Sequence, residues 1–287
     1  MKRFLIVLVS IVLLTSCYIH DGQEDVSDPI PVGPSVKGDN LAMGNPSNAS
    51  ANVVNADNYL MVKDQYVLSY NDSKHTANWV SWHLSTAWIG PVDRQDNFRS
   101  DVTLPSSWVA VKEYSYSGSG FDRGHICPSA DRTTSISYNS ATFLMTNMMP
   151  QAPENNQKPW ADFENYCRYL AKKGYELYIV AGPAGVGGAG RYGYKEKIGD
   201  EGVVVPKYTW KVVIALLNGE NDVARVDAKT RTIAIWIPND QTASSKSWYN
   251  YRVSIDDIES QTGFDFFSNL PDEVEKVIEA KVDNTPI

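Results

Sequence analysis

The sequence predicts an α+β domain built on a mainly antiparallel sheet, and three observations carry that expectation. Short β-branched and aromatic runs recur at 66–70, 79–84, 108–111, 142–148, 177–181, 203–205, 209–217 and 232–237. Helical patterns are fewer, at 156–173, 254–262 and 272–281. The two kinds do not alternate strand by helix, so a parallel doubly wound sheet does not fit.

Each element has a local reason. Tyr70-Asn71-Asp72-Ser73 has turn chemistry between the first two strands. The tryptophans at 79, 82, 88 and 108 suit strand-core packing better than base stacking. Gly174 directly after Lys172 and Lys173 ends the first helix. Asp272 and Glu273 favour a helix start. The Gly-rich stretch 182–193 reads as a long loop inside the domain, and the chain shows no internal repeat.

The first residues read as a targeting signal. Lys2 and Arg3 precede an apolar run, 4–14, that is shorter than the roughly 20 residues a membrane span needs. The run ends in Leu14-Thr15-Ser16-Cys17, which resembles a bacterial lipobox and implies lipidation of Cys17 and removal of 1–16. Residues 17–58 are acidic, then rich in proline, glycine, serine and asparagine, and read as a flexible tether. A single domain would then occupy 59–287. The expected location is export, with a lipid anchor on a periplasmic or cell-surface membrane face.

Losing Lys2 and Arg3 takes the net charge from −8 to about −10, which excludes a DNA-coating protein with a basic face. An enzyme that grips one phosphate with a few arginines remains compatible. Cys127 and Cys167 could pair in an exported chain, with about 4 kcal/mol from loop closure, or stay as buried thiols.

The chemistry concentrates in Phe121-Asp122-Arg123-Gly124-His125, followed by Asn156, Glu164 and Arg168. A neutral imidazole takes a proton from water near pH 7. Arginines hold phosphate with forked donors. An amide oxygen with retained waters suits a magnesium-type cation. Trp160, Glu164 and Arg168 are four apart and share a helical stripe that Asn156 begins. A structural histidine would need none of these neighbours. His20, His75 and His83 lack ligand spacing and read as tether, turn and strand residues.

These residues resemble the DNA/RNA non-specific endonucleases, a family of ββα-metal (His-Me finger) nucleases, and look most like the secreted cyanobacterial nuclease A branch. The resemblance rests on Asp122-Arg123-Gly124-His125, on 146–151, and on Asn156-Gln157 with Trp160 and Glu164. Segments 44–47, 59–71, 94–99, 178–182 and 237–240 extend it to about 40–282. It implies a two-layer α/β/α arrangement around an antiparallel sheet, with Mg2+ or Mn2+ as cofactor. By motif position His125 is the general base and Asn156 the direct protein ligand of the metal. Glu164 orders metal-bound water, and Arg94, Arg123 and Arg168 meet the phosphate. Asn147 supports the histidine loop. Arg99 is the rival to Arg94. Cys127 departs from the small or apolar residue expected there.

The implied reaction is hydrolysis of phosphodiester bonds within DNA and RNA, leaving 5′-phosphate and 3′-hydroxyl ends with little base preference. Two other readings stand beside it: a lipoprotein that binds nucleic acid without cutting, and a phosphodiesterase for small nucleotides. An inhibitor protein is compatible with the sequence but not identified by it.

Overall fold

The computed structural model describes residues 37–287. The signal segment, Cys17 and the first part of the expected tether lie outside the described residues.

In chain order the strands are β1 Tyr59–Val62, β2 Val67–Asn71, β3 Thr76–Leu84, β4 Asp122–His125, β5 Met148–Gln151, β6 Tyr175–Ala184, β7 Gly188–Gly190, β8 Gly193–Lys195, β9 Lys197–Ile198, β10 Val203–Val204, β11 Tyr208–Leu217, β12 Arg231–Pro238 and β13 Arg252–Val253. The helices are α1 Ile136–Ala141, α2 Pro153–Asn155, α3 Ala161–Lys172, α4 Asp222–Arg225, α5 Ile255–Thr262 and α6 Asp272–Glu279. A π-turn, Asn156–Trp160, joins α2 to α3.

Seven strands form one antiparallel sheet in the order β1-β2-β3-β6-β11-β12-β13. The period-2 alternation of its long strands divides the core between two faces. Trp82, Ile179, Val213, Ile233 and Ile235 pack under α3 with Trp160, Phe163 and Trp248. Trp79, Val180, Trp210, Val212 and Ile214 face the other way and meet Ile255, Ile258, Phe266, Phe267 and Ile278 of the α5–α6 region. A β-bulge in the pairing of β2 with β3 lets Ala77 and Trp79 serve opposite faces. Helices cover both faces, so the arrangement has three layers rather than the two implied by the resemblance.

Part of the segment read as tether docks on the domain. Residues 39–50 pack on the far face, with Asn40, Met43 and Ala49 buried. Trp79 donates its indole N–H to Ser47, and Ser81 donates to the Asn40 carbonyl. A polar segment can dock because its side chains and backbone satisfy one another: Asn45 bonds both ways with the Ala49 backbone. Residues 37–58, read as tether, are therefore ordered against the domain among the described residues.

Two expected strands differ. Segment 108–111 follows a turn at Pro105 and packs by ring contact, Trp108 lying 5.0 Å from Tyr59 and 6.2 Å from Tyr70. Segment 142–148 forms a 3-10 turn at Met145–Asn147 before β5 begins at Met148, because the Asn147 side chain takes backbone bonds a ladder would otherwise use.

Candidate active site

The site is built on the short hairpin of β4 and β5, which lies apart from the main sheet. Its register pairs His125 with Met148 and Gly124 with Met149. A side chain at Gly124 would bring its first carbon within 2.2 Å of Gln151 Oε1, so glycine is required beside the histidine. Beyond His125 the chain is held by one side chain. Asn147 Oδ1 accepts from the Cys127 N–H at 2.9 Å, and its amide donates to the Cys127 and Thr142 carbonyls, each at 2.9 Å. Asn147 thereby ties down the backbone two residues beyond His125.

His125 is only 9% exposed. Its ring sits between Phe98, 5.5 Å away, and Phe143, 4.8 Å away and edge-on. Arg123 lies over the Phe98 ring at 4.2 Å, and Arg94 over the Phe143 ring at 4.8 Å. Two cations therefore flank an aromatic box around one imidazole. Burial, with Arg94 and Arg123 adding to it, pushes the His125 pKa down to about 3, so the ring is neutral at pH 7. Its Nε2 is buried and has no hydrogen-bond partner.

Above this box lies an open groove of about 390 Å³, lined by Arg94, Phe98, Asp122, Arg123, Asn156 and Gln157 among others. Arg94 is fixed by Asp96 at 2.7 Å and Ser129 at 3.0 Å. Asn156 donates its amide N–H to Asp122 at 2.9 Å, and Gln157 donates to the same oxygen at 2.8 Å. The Asn156 carbonyl oxygen accepts no hydrogen bond from a described residue. An amide held by its nitrogen leaves its side-chain oxygen available as a ligand where Asn156 lines the groove, so this donor set fits a hard divalent cation. Arg99 bonds the Asn97 and Ser140 carbonyls and plays no part in the groove.

Asn156 owes its position to the π-turn. Pro159 has no N–H to continue an α-helical ladder there, and the wider turn moves Asn156 off the α3 stripe. The expected single stripe therefore divides. Arg94, Arg123 and Asn156 share the groove over His125. Glu164 and Arg168 gather instead in a half-buried charge cluster. Arg168 pairs with Asp131 at 2.8 Å, and Asp131 also accepts from Trp82 at 3.0 Å. Glu164 lies 3.5 Å from Lys211 Nζ. Burial raises the Glu164 pKa, against the pull of Lys211 and Arg168. The 3-10 turn Ser129–Asp131 links the two groups, since Ser129 holds Arg94 and Asp131 holds Arg168.

Four supporting residues were not singled out by the sequence. Asp122 fixes Asn156, and Asp131 fixes Arg168. Asn239 clamps the start of α2, accepting from Ala152 N–H at 2.7 Å and donating to the carbonyls of Pro150 and Pro206. Lys211 is 1% exposed, in mid-strand on β11, and sits 4.1 Å over the Trp160 ring. Only the Asp122 and Asn239 motifs were visible beforehand; a lysine in an apolar strand pattern was the one cue to Lys211. Cys127 and Cys167 are both free and buried, which settles the alternative between a disulfide and two thiols.

A second group of ligand types appears elsewhere. His83, Glu176 and Asp222 bring one ligand atom each within 4.8 Å of one another, and such a trio could hold a metal ion. The sequence reading assigned His83 to strand packing, because its carboxylates are remote in sequence. Here Arg225 already bonds both acids at 2.6 Å, Gly219 N–H donates to Glu176, and Tyr178 donates to Asp222.

Comparison with known proteins agrees with this geometry. The family described as DNA/RNA non-specific endonuclease matches residues 43–273. A nuclease of Nostoc sp. (strain PCC 7120 / SAG 25.82 / UTEX 2576) is 53% identical over 244 residues, covering 85% of this chain and 86% of that protein. The mitochondrial nuclease EXOG of Xenopus laevis is 32% identical over 211 residues, covering 71% of this chain and 57% of its own. A solved EndoG/EndoGI complex aligns with a TM-score of 0.67 at 24% identity, over 81% of this chain and 91% of that one. That last likeness establishes the ββα-metal fold.

Proposed function

This chain belongs to the DNA/RNA non-specific endonuclease family, and we propose that its groove over His125 cleaves phosphodiester bonds by general-base hydrolysis. The observation that carries this reading is the neutral, buried imidazole set between two arginine-capped rings beneath an open polar groove. His125 takes the proton of an attacking water. Arg94 and Arg123 clamp the phosphate and neutralise charge that grows on its oxygens. Their engagement by phosphate offsets the positive field that depresses His125, so substrate makes the base stronger. Asn156 would hold the cation through its amide oxygen, with Asp122 fixing the amide. A bound divalent cation supplies Lewis-acid stabilisation of the leaving oxygen. Glu164, paired with Lys211, would be the residue that orders cation-bound water, and Arg168, through Asp131, and Asn147 fix the loop that carries His125.

The family's divalent-metal dependence is assigned here to Mg2+, with Mn2+ as a substitute, because an amide ligand with waters suits a hard octahedral cation. The products would carry 5′-phosphate and 3′-hydroxyl ends. Nicking of supercoiled plasmid and of a structured RNA, with magnesium and with chelator, tests the reading. Loss of cutting in chelator is expected; binding without cutting in magnesium would support the silent-binder alternative, and cleavage of a dinucleotide but not of plasmid would support the small-nucleotide one. Asn156→Ala should raise the half-saturating magnesium concentration; an unchanged value removes Asn156 from the metal shell.

The same reading includes export and a lipid anchor at Cys17. Cys17→Ser should move the protein from the detergent to the aqueous phase with its nuclease activity intact. Continued partition with membranes would overturn the anchor.

A further inference from the structure

The helices that close the far face of the sheet, α5 and α6, turn carboxylates toward one another. Asp256 and Glu259 of α5 and Glu279 of α6 bring one carboxylate oxygen each within 4.8 Å of one another. Glu279 is 5% exposed, and its Oε1 is buried without a hydrogen-bond partner. Glu275, one turn earlier on α6, also has a buried Oε1 without a partner. Beyond burial itself, the groups acting most on Glu279 are Glu259, Glu275, Asp256 and Asp265, every one of them acidic. The Phe266 N–H donates to Glu259 Oε1 at 2.9 Å and fixes that carboxylate in place. Burial and these neighbours push the Glu279 carboxyl up to about 9, so without a cation it keeps its proton, and a bound cation would take that proton's place.

We propose that Asp256, Glu259 and Glu279 form a binding site for a hard divalent cation of the calcium class, separate from the catalytic groove. Oxygens about 2.4 Å from a calcium ion stand roughly 3.4 Å apart at right angles and about 4.8 Å apart when opposite. Three oxygens within 4.8 Å of one another can therefore share one such ion. Magnesium demands near-ideal octahedral geometry and gives up its waters reluctantly, so a set of protein carboxylates suits calcium better. The set has no imidazole or thiolate to favour zinc or copper. Asp256 is exposed, which leaves room for water to complete the shell. The bound ion would tie the two far-face helices together.

The test uses the full chain carrying Asn156→Ala, so that the proposed catalytic cation site is disabled. Thermal unfolding is compared in chelator, in calcium chloride and in sodium chloride of equal ionic strength. Calcium at about ten times its dissociation constant should raise Tm by about 3 °C over the sodium control. Adding Glu279→Gln or Asp256→Asn should abolish most of that rise. Asp256 is exposed, so the second variant keeps the test open should the first fold poorly. Calorimetric titration with calcium should find one ion bound to the Asn156→Ala protein and none when Asp256→Asn is added. No calcium-specific rise, or an equal rise in the cluster variants, overturns the site.

Discussion

Acidic groups under α3 and those between α5 and α6 are buried in opposite ways. On the catalytic face each buried carboxylate has a cation: Asp131 has Arg168, and Glu164 has Lys211. On the far face Glu176 and Asp222 share Arg225, whereas Glu259, Glu275 and Glu279 of α5 and α6 face one another and nearby aspartates. Their hydrocarbon surroundings also differ. The far face is closed by Phe266, Phe267 and Ile278, whereas the catalytic face threads Lys211 between Trp82 and Trp160. A larger cavity, about 620 Å³, opens on the far side among Asp222, Val226, Leu270 and Pro271, and it holds none of the catalytic candidates. Cavity size therefore does not single out the candidate site; charge pairing around a neutral imidazole does. Chemistry requires fixed polar groups, and fixing them inside a protein requires partners.

The sharpest way to break this division is to damage each face in turn. His125→Ala should slow plasmid nicking by about 10²–10⁴-fold while Tm changes little. Near wild-type nicking by the folded variant would remove the base from the mechanism. Phe267→Ala, at a fully buried far-face position, should cost about 3–5 kcal/mol in urea unfolding. Its turnover per folded molecule should be unchanged, and a parallel fall in turnover would show that the faces are coupled.

The charge pairing itself is tested at Lys211. Lys211→Met keeps the length and the contact with Trp160 but strands Glu164, a carboxylate whose side chain is 13% exposed. Stability should fall by about 3 kcal/mol. Adding Glu164→Gln should recover most of that loss, because no charge is then left unpaired. A double variant as unstable as Lys211→Met alone would mean that the lysine acts through packing on the rings.

Arg123 offers a smaller effect that isolates phosphate contact. Arg123→Ala should lower kcat/KM by about 10–100-fold, the worth of one charge-assisted contact. Its rate should also depend less steeply on salt than wild type does. An unaltered salt dependence would place Arg123 outside the substrate path.

Much of this was legible in the sequence, for reasons particular residues make plain. β6, β11 and β12 announce themselves because both faces are buried and their sequences run near-continuously apolar and β-branched. His125, Arg123 and Asn156 could be found because hairpin and helix start keep them close in a recognisable order. Glu164 and Arg168 were placed on the right helix, but the π-turn at Pro159 broke the phase that joined them to Asn156. Asp131 and Lys211 escaped notice because their roles arise only when β11 and the turn after His125 meet under α3. The docking of 39–50 was hidden by its polar composition: it packs through hydrogen bonds, and hydropathy does not register those.

The finest test of the comparison is the acid limb of stability. His125 has an ordinary value of 6.5 and is pushed down to about 3 in the folded protein, first by burial and then by Arg94 and Arg123. Below pH 6.5 the unfolded chain takes up a proton that the folded one refuses. The unfolded state then binds more protons, so stability rises with pH in this window and is lost as pH falls from 6.5 toward 3. The slope from this one group is at most about 1.4 kcal/mol per pH unit. His125→Ala lacks the group, while every other titration is shared with wild type. Between pH 7 and pH 5, urea unfolding should therefore show wild type losing about 2 kcal/mol more than the variant. Equal losses would mean that the imidazole protonates as readily in the fold as outside it. The aromatic box would then be open to water, and the catalytic face would owe its neutral base to something other than burial beneath the arginines.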